Sequence, residues 1–172
     1  NANFASIENN TIEGGNLGVK VQNSTSAFIY NNTIKSNSGY GIQVLINSES
    51  ARIKYNQLTD NEDNAIVISS SNSTEVYNNT IKENAGYGFA ATNSKLLDFK
   101  GNTIEDNDGG VKYTNCDYCN LTFNKIDENG DLVFTRSFIT DEVDLDDPHF
   151  RSTKLCYFLD QAYEKLLELN GD

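Results

Sequence analysis

An internal repeat constrains this chain more than any other feature. The phrase apolar-x-x-Asn-x-apolar-x-x-Asn recurs six times, with anchor spacings of 22, 24, 23, 23 and 22 residues. Its first apolar column is Ile7, Ile29, Ile53, Val76, Phe99 and Leu121. Three residues on stands an Asn without exception: Asn10, Asn32, Asn56, Asn79, Asn102 and Asn124. The second apolar column is Ile12, Ile34, Leu58, Ile81, Ile104 and Ile126. It is followed by Gly15 and then Asn37, Asn61, Asn84, Asn107 and Asn129. Each repeat continues with an apolar pair, such as Ile42 and Val44, preceded in most repeats by Gly or Ala. Most repeats close on Ser, with Cys116 in the fifth. One copy of such a unit cannot bury its inner face, whereas stacked copies can.

Within each repeat the apolar residues alternate with polar or small ones over short stretches, as in Gly41-Ile42-Gln43-Val44. A period of two is strand chemistry. The stretches are too short, and too rich in Asn and Gly, for helices. The repeat therefore predicts an all-β solenoid: a parallel β-helix of about six coils of 22–24 residues over 1–137. Stacking at the strand spacing gives a rod about 24–29 Å long. Two roles are expected for the Asn columns. Asn tolerates the left-handed backbone of a bend, and stacked amides can hydrogen-bond from coil to coil.

The rest of the composition fits one domain with an appendage. Net charge is −12, from 25 acids and 13 bases. Clustered Lys and Arg, the footprint of a nucleic-acid binder, are missing. No 18-residue apolar run marks a membrane span, and three Cys do not make a disulfide framework. The chain opens inside a repeat without an initiator Met, so it is expected to belong to a longer protein. After Ser137 an acidic linker is expected over 138–147. Asp147-Pro148 then reads as an N-cap followed by Pro at the first helical position. Leu155, Phe158, Leu159, Ala162, Leu166 and Leu169 predict an amphipathic C-terminal α-helix over 148–172, as a lid over open strand edges or a docking helix.

The phrase N-x-I-x-x-N, then G-[IV]-x-[IV] and a closing Ser, resembles the right-handed parallel β-helix repeat. That repeat occurs in pectate-lyase-like enzymes, in NosD/CASH-type carbohydrate-related proteins, and in non-enzymatic modules of F-box and axonemal proteins. The resemblance covers residues 3–137. It implies a right-handed coil, in line with the general preference of parallel crossovers. It implies no single function, because the fold hosts many.

Two surface features stand out as binding candidates. Two residues after the second apolar column lie Gly14, Ser36, Asp60, Glu83, Asp106 and Glu128, so four consecutive coils place a carboxylate at one corner. Unit charges 5 Å apart in water repel by about 0.8 kcal/mol, which a basic partner surface or a cation would relieve. By resemblance to pectate-lyase-like enzymes, such carboxylates could hold calcium and an acidic sugar. The plainer reading is a solvated turn. Tyr30 and Tyr77 share an outward column with Lys54 and Lys100, while Tyr40 and Tyr87 sit in matching Gly-Tyr-Gly phrases. Their rings could stack on sugars or anchor a protein interface; the plainer reading is β-propensity on an exposed face.

Other motifs are weaker. Cys116-x-x-Cys119 could be half a zinc site, completed by His149 and Cys156, but the second pair is too widely spaced. The pair reads as two small thiols at a coil boundary, and it lacks the βαβ setting of a redox motif. Asp147-Pro148-His149 resembles the D-P-H phrase of alginate-epimerase-type β-helix enzymes, without its flanking Tyr-Gly, and reads as a helix cap. Asp127–Asp131 lacks the Gly and Glu of a calcium loop. Six sequons, from Asn9 to Asn120, follow from an Asn- and Thr-rich repeat.

Coil lengths vary by two residues, so no long loop walls a cleft, and Trp is absent. These features favour a non-catalytic structural or protein-interaction module with a protein partner, no cofactor, no catalytic residue and no resident metal. By resemblance, a cytoskeletal or ciliary assembly fits such a module and places it inside the cell. The alternative is a polysaccharide-binding or polysaccharide-processing domain.

Overall fold

The computed structural model describes residues 3–135. The acidic linker and C-terminal helix expected beyond Ser137 lie outside the described residues. Within them the chain winds as a parallel β-solenoid with three strands per coil. The first sheet collects Ser6–Glu8, Phe28–Tyr30, Arg52–Lys54, Glu75–Tyr77, Asp98–Lys100 and Asn120–Thr122. The second collects Thr11–Glu13, Thr33–Lys35, Gln57–Thr59, Thr80–Lys82, Thr103–Glu105 and Lys125–Asp127. The third collects Val19–Gln22, Ile42–Leu45, Ile66–Ser69, Tyr87–Thr92, Gly109–Thr114 and Val133–Thr135. Every pairing is parallel and joins a strand to its counterpart one coil away, as in Ile29↔Ile53 and Ile53↔Val76.

The three apolar columns form the core. Ile29, Ile53 and Phe99 of the first sheet, Ile34, Leu58, Ile81 and Ile104 of the second, and Ile42, Val44, Ile66 and Ile68 of the third are completely buried. Aromatics pack in the core of the later coils: Phe89 and Phe99 lie 4.4 Å apart, and Tyr113 meets Phe89 edge-on at 5.7 Å. Ile7, Ile12, Leu121 and Ile126, in the first and last of the described coils, are partly buried.

Both Asn columns point inward and form ladders. In the first, Asn56 Oδ1 accepts the backbone N–H and the Nδ2 of Asn32 at 2.9 and 3.0 Å. Asn56 Nδ2 donates to Asn79 Oδ1 and to the Ile29 carbonyl, both at 3.0 Å. In the second, Asn84 Oδ1 accepts from Asn61 N–H and Nδ2 at 3.1 and 2.8 Å, and its Nδ2 donates to Asn107 Oδ1 and the Leu58 carbonyl at 2.8 and 3.1 Å. An amide has two acceptor sites and two donors, and these buried side chains fill all four. Gly15 supplies no amide, yet its N–H still donates to Asn37 Oδ1 at 3.0 Å.

The structure corrects one expectation. The left-handed residue at each bend is not the ladder Asn but the residue before it. After the first sheet these are Asn9, Asn31, Tyr55, Asn78, Gly101 and Phe123; after the second they are Gly14, Ser36, Asp60, Glu83, Asp106 and Glu128. The ladder Asn must aim its amide inward and so takes ordinary backbone angles. Asn is still used for the bend, in the separate outward set Asn9, Asn31, Asn78, Asn23, Asn47, Asn93 and Asn115. Each bend is braced by the next coil; Asn31 N–H, for example, donates to the Lys54 carbonyl at 3.1 Å.

Candidate functional site

The acidic column occupies left-handed corners. Asp60, Glu83, Asp106 and Glu128 have φ between 51° and 56° and are exposed. Successive coils hold the corner through main-chain hydrogen bonds, as from Glu83 N–H to the Glu105 carbonyl at 3.3 Å. The bend fixes the backbone and turns the side chain outward, so the ridge runs along the boundary between the second and third sheets. Among the described residues, no three His, Cys, Asp or Glu side chains converge to hold a metal ion.

The four tyrosines divide between two faces. Tyr30 and Tyr77 stand on the first sheet, two coils apart, with Lys54 in register between them. Tyr40 and Tyr87 stand at the entry to the third sheet. The Tyr87 ring lies against Gly109 of the next coil, where a Cβ would come within 2.5 Å of it, and Lys112 Nζ sits 5.2 Å above that ring. Tyr87 N–H donates to Asn64 Oδ1 at 2.6 Å.

The first sheet gathers further aromatics and charges around Tyr30 and Tyr77. Phe28 stacks on Tyr30 with centroids 5.3 Å apart, and Tyr55 meets Tyr30 edge-on at 5.4 Å. Lys54 Nζ lies 4.5 Å over the Tyr77 ring and pairs with Glu75 at 2.6 Å. Arg52 Nε reaches the same carboxylate at 3.8 Å. The Tyr77 hydroxyl donates to Asp98, and Lys100 Nζ lies 5.4 Å over Phe123. Burial, then the Asp98 hydrogen bond, pushes the Tyr77 phenol well above its ordinary range, so it stands as a proton donor rather than a base. Tyr55 is 51% exposed and Phe123 83%. Both sit at left-handed corners, a column otherwise Asn or Gly, and Phe28 holds the outer position of its strand. A column-by-column search for outward aromatics would have found them.

The face of the second sheet differs. Its outward positions are mainly Thr and charged residues, tied by Lys35–Glu13 at 3.2 Å and by Glu105 between Lys82 and Lys125. A recess of about 320 Å³ opens at the first coil, lined by Ile7, Val21, Ala27 and Ile29 among others; it brings none of the candidate residues together.

The family model described as a right handed beta helix region matches residues 1–146. The chain belongs to the right-handed β-helix family. Two crystal structures of the periplasmic alginate epimerase AlgG share the fold. A mutant form aligns with TM-score 0.60 at 15% identity, covering 78% of this chain and 40% of that one. A second AlgG structure gives 0.57 at 14% identity, with coverages of 77% and 39%. The surface protein and adhesin PfbA of Streptococcus pneumoniae aligns with TM-score 0.43 at 9% identity, covering 78% and 49%. The β-helix thus spans well under half of the AlgG chain. No curated protein sequence matches this one.

Proposed function

We propose that this β-helix is a non-catalytic interaction module whose main contact surface is the outer face of the first sheet. The observation that carries the reading is the Phe28–Tyr30–Tyr55 cluster beside Arg52, Lys54 and Tyr77. Rigid aromatics and Arg on a flat, preorganised sheet are the residue types that dominate protein–protein hot spots. The charges on this face are largely satisfied by one another, and the Tyr77 phenol is held protonated. Such an arrangement suits binding better than proton abstraction. Coils of near-uniform length leave the face open rather than walled. The acidic ridge adds a second contact line for a basic partner surface, which would steer association.

A second reading has its own support. Tyr30, Lys54, Tyr77 and Lys100 alternate ring and cation one coil at a time, a pattern that suits an anionic glycan laid along the rod. The fold shared with AlgG is compatible with it.

A photo-crosslinking aromatic in place of Tyr55 or Asp106 tests the first reading, with one in place of Thr80 as the control face. Protein adducts are expected from the first two positions and not from the third. Equal adducts from all three, or none, overturn the reading. In a screen of acidic and neutral glycans no turnover is expected. A glycan activity that disappears in Glu83→Gln or Asp106→Asn establishes an enzyme instead.

A further inference from the structure

The corner between the third and first sheets follows one plan. An inward Ser is followed by two turn residues and an inward small or aliphatic residue. The pairs are Ser24/Ala27, Ser48/Ala51, Ser71/Thr74 and Ser94/Leu97, all buried. In the fifth coil the same two places hold Cys116 and Cys119. Neither position requires sulfur, since Ser and Ala fill them elsewhere.

The corner brings the two thiols together. Both are free, partly exposed and packed against the core at the two ends of one two-residue turn. Cys116 Sγ donates to the Thr114 carbonyl at 3.6 Å, and Cys119 Sγ lies 3.5 Å from the Asp117 carbonyl. The turn between them is fixed. Tyr118 is left-handed (φ 53°), Asp117 N–H donates to the Ser94 carbonyl at 3.1 Å, and Leu96 N–H donates to the Asp117 carbonyl at 3.0 Å. Tyr118, between the thiols, is 71% exposed, so the corner lies at the surface.

We propose that Cys116 and Cys119 form a thiol–disulfide exchange site that reacts with small-molecule disulfides of the glutathione class and closes to an internal disulfide. The Cys116 thiolate attacks one sulfur of the small disulfide and expels a thiolate, leaving a mixed disulfide on Cys116. Cys119 then attacks the Cys116 sulfur, and its proton goes to the second departing thiolate. Two protein S–H bonds and one small-molecule S–S bond are lost; one protein S–S bond and two small-molecule thiols are gained. The protein dithiol is oxidised and the small disulfide reduced. The neighbouring thiol lowers Cys116 towards the thiolate, the form that attacks. Once Cys116 is in the mixed disulfide, Cys119 stands three residues away across the fixed turn and attacks as its proton leaves.

The test uses the full chain in glutathione redox buffers, quenched by alkylation and followed by intact mass and chymotryptic mapping. The expected product has lost two hydrogens and two alkylation sites. Peptides cut after Tyr118 stay linked until dithiothreitol is added. Cys116→Ser and Cys119→Ala carry residues native to the same columns in other coils, so both should keep the wild-type circular dichroism spectrum. Each should stop at a mixed disulfide on the remaining thiol of the pair. Cys156→Ser should leave the internal disulfide intact. Full alkylation of Cys116 and Cys119 in the most oxidising buffer overturns the proposal, as does a linkage formed only with Cys156.

Discussion

Neighbouring columns of one coil answer to different physics. Asn84 and Glu83 are adjacent, yet the Asn84 amide is buried and hydrogen-bonded to the coils on both sides while Glu83 faces water. In the inward column only an amide satisfies the coils on both sides, and from the second coil on every repeat has Asn there. In the corner column only the backbone angle matters, and Gly, Ser, Asp and Glu all occur. A column whose side chain is specified by neighbours stays uniform, and one specified by its own φ drifts.

The largest test of this contrast is Asn84→Ala. It leaves Asn61 N–H and Nδ2, the Leu58 carbonyl and Asn107 Oδ1 short of partners, and a loss of about 4 kcal/mol is expected in urea unfolding. Thr74→Val is expected to act in the opposite direction. Thr74 Oγ1 is buried without a hydrogen-bond partner among the described residues. Its removal at constant shape should stabilise by about 1 kcal/mol in the same assay. Next comes the corner itself: Glu83→Gly relieves the left-handed strain and weakens the ridge. After the entropy cost of Gly it should stabilise by about 0.5 kcal/mol, where a loss comparable to Asn84→Ala would break the contrast.

The smallest effect concerns an outward strand position. Lys125 first, and then Lys82, hold the Glu105 carboxyl below its usual range. A depressed folded value stabilises above the unfolded carboxylate pKa, about 4.3, and that contribution fades as pH falls through the folded value. Thermal melts of Glu105→Gln should therefore lie below wild type at neutral pH, with the gap closing in acid.

The inward half of this molecule was legible in the sequence because each coil repeats the same constraint. Ile29, Ile53 and Val76, or Asn56, Asn79 and Asn102, announce their stacking by recurrence alone. The corners were harder to read. Tyr55, Leu96, Tyr118 and Phe123 adopt a backbone that bulky residues seldom take, and nothing local in the sequence signals it; the Asn columns place the bend one residue too late. The aromatic cluster on the first sheet was half legible, through Tyr30 and Tyr77. Tyr55 completes it from a corner, and that contact depends on the register between coils. The same register showed that Tyr40 and Tyr87 belong to a different face.

The ladders also have a direction. Every Oδ1 faces the preceding coil, while each ladder backbone N–H, and one hydrogen of its Nδ2, face the following one. The edges of a parallel sheet carry donors and acceptors alike, so strands alone would let two such stacks meet either way round. The amides do not. Two copies brought together through equivalent ends would set acceptor against acceptor, or donor against donor, along the ladder of Asn10 to Asn124, whereas head-to-tail joining continues that ladder. The solenoid is in this sense an arrow, and what abuts it can tell one end from the other.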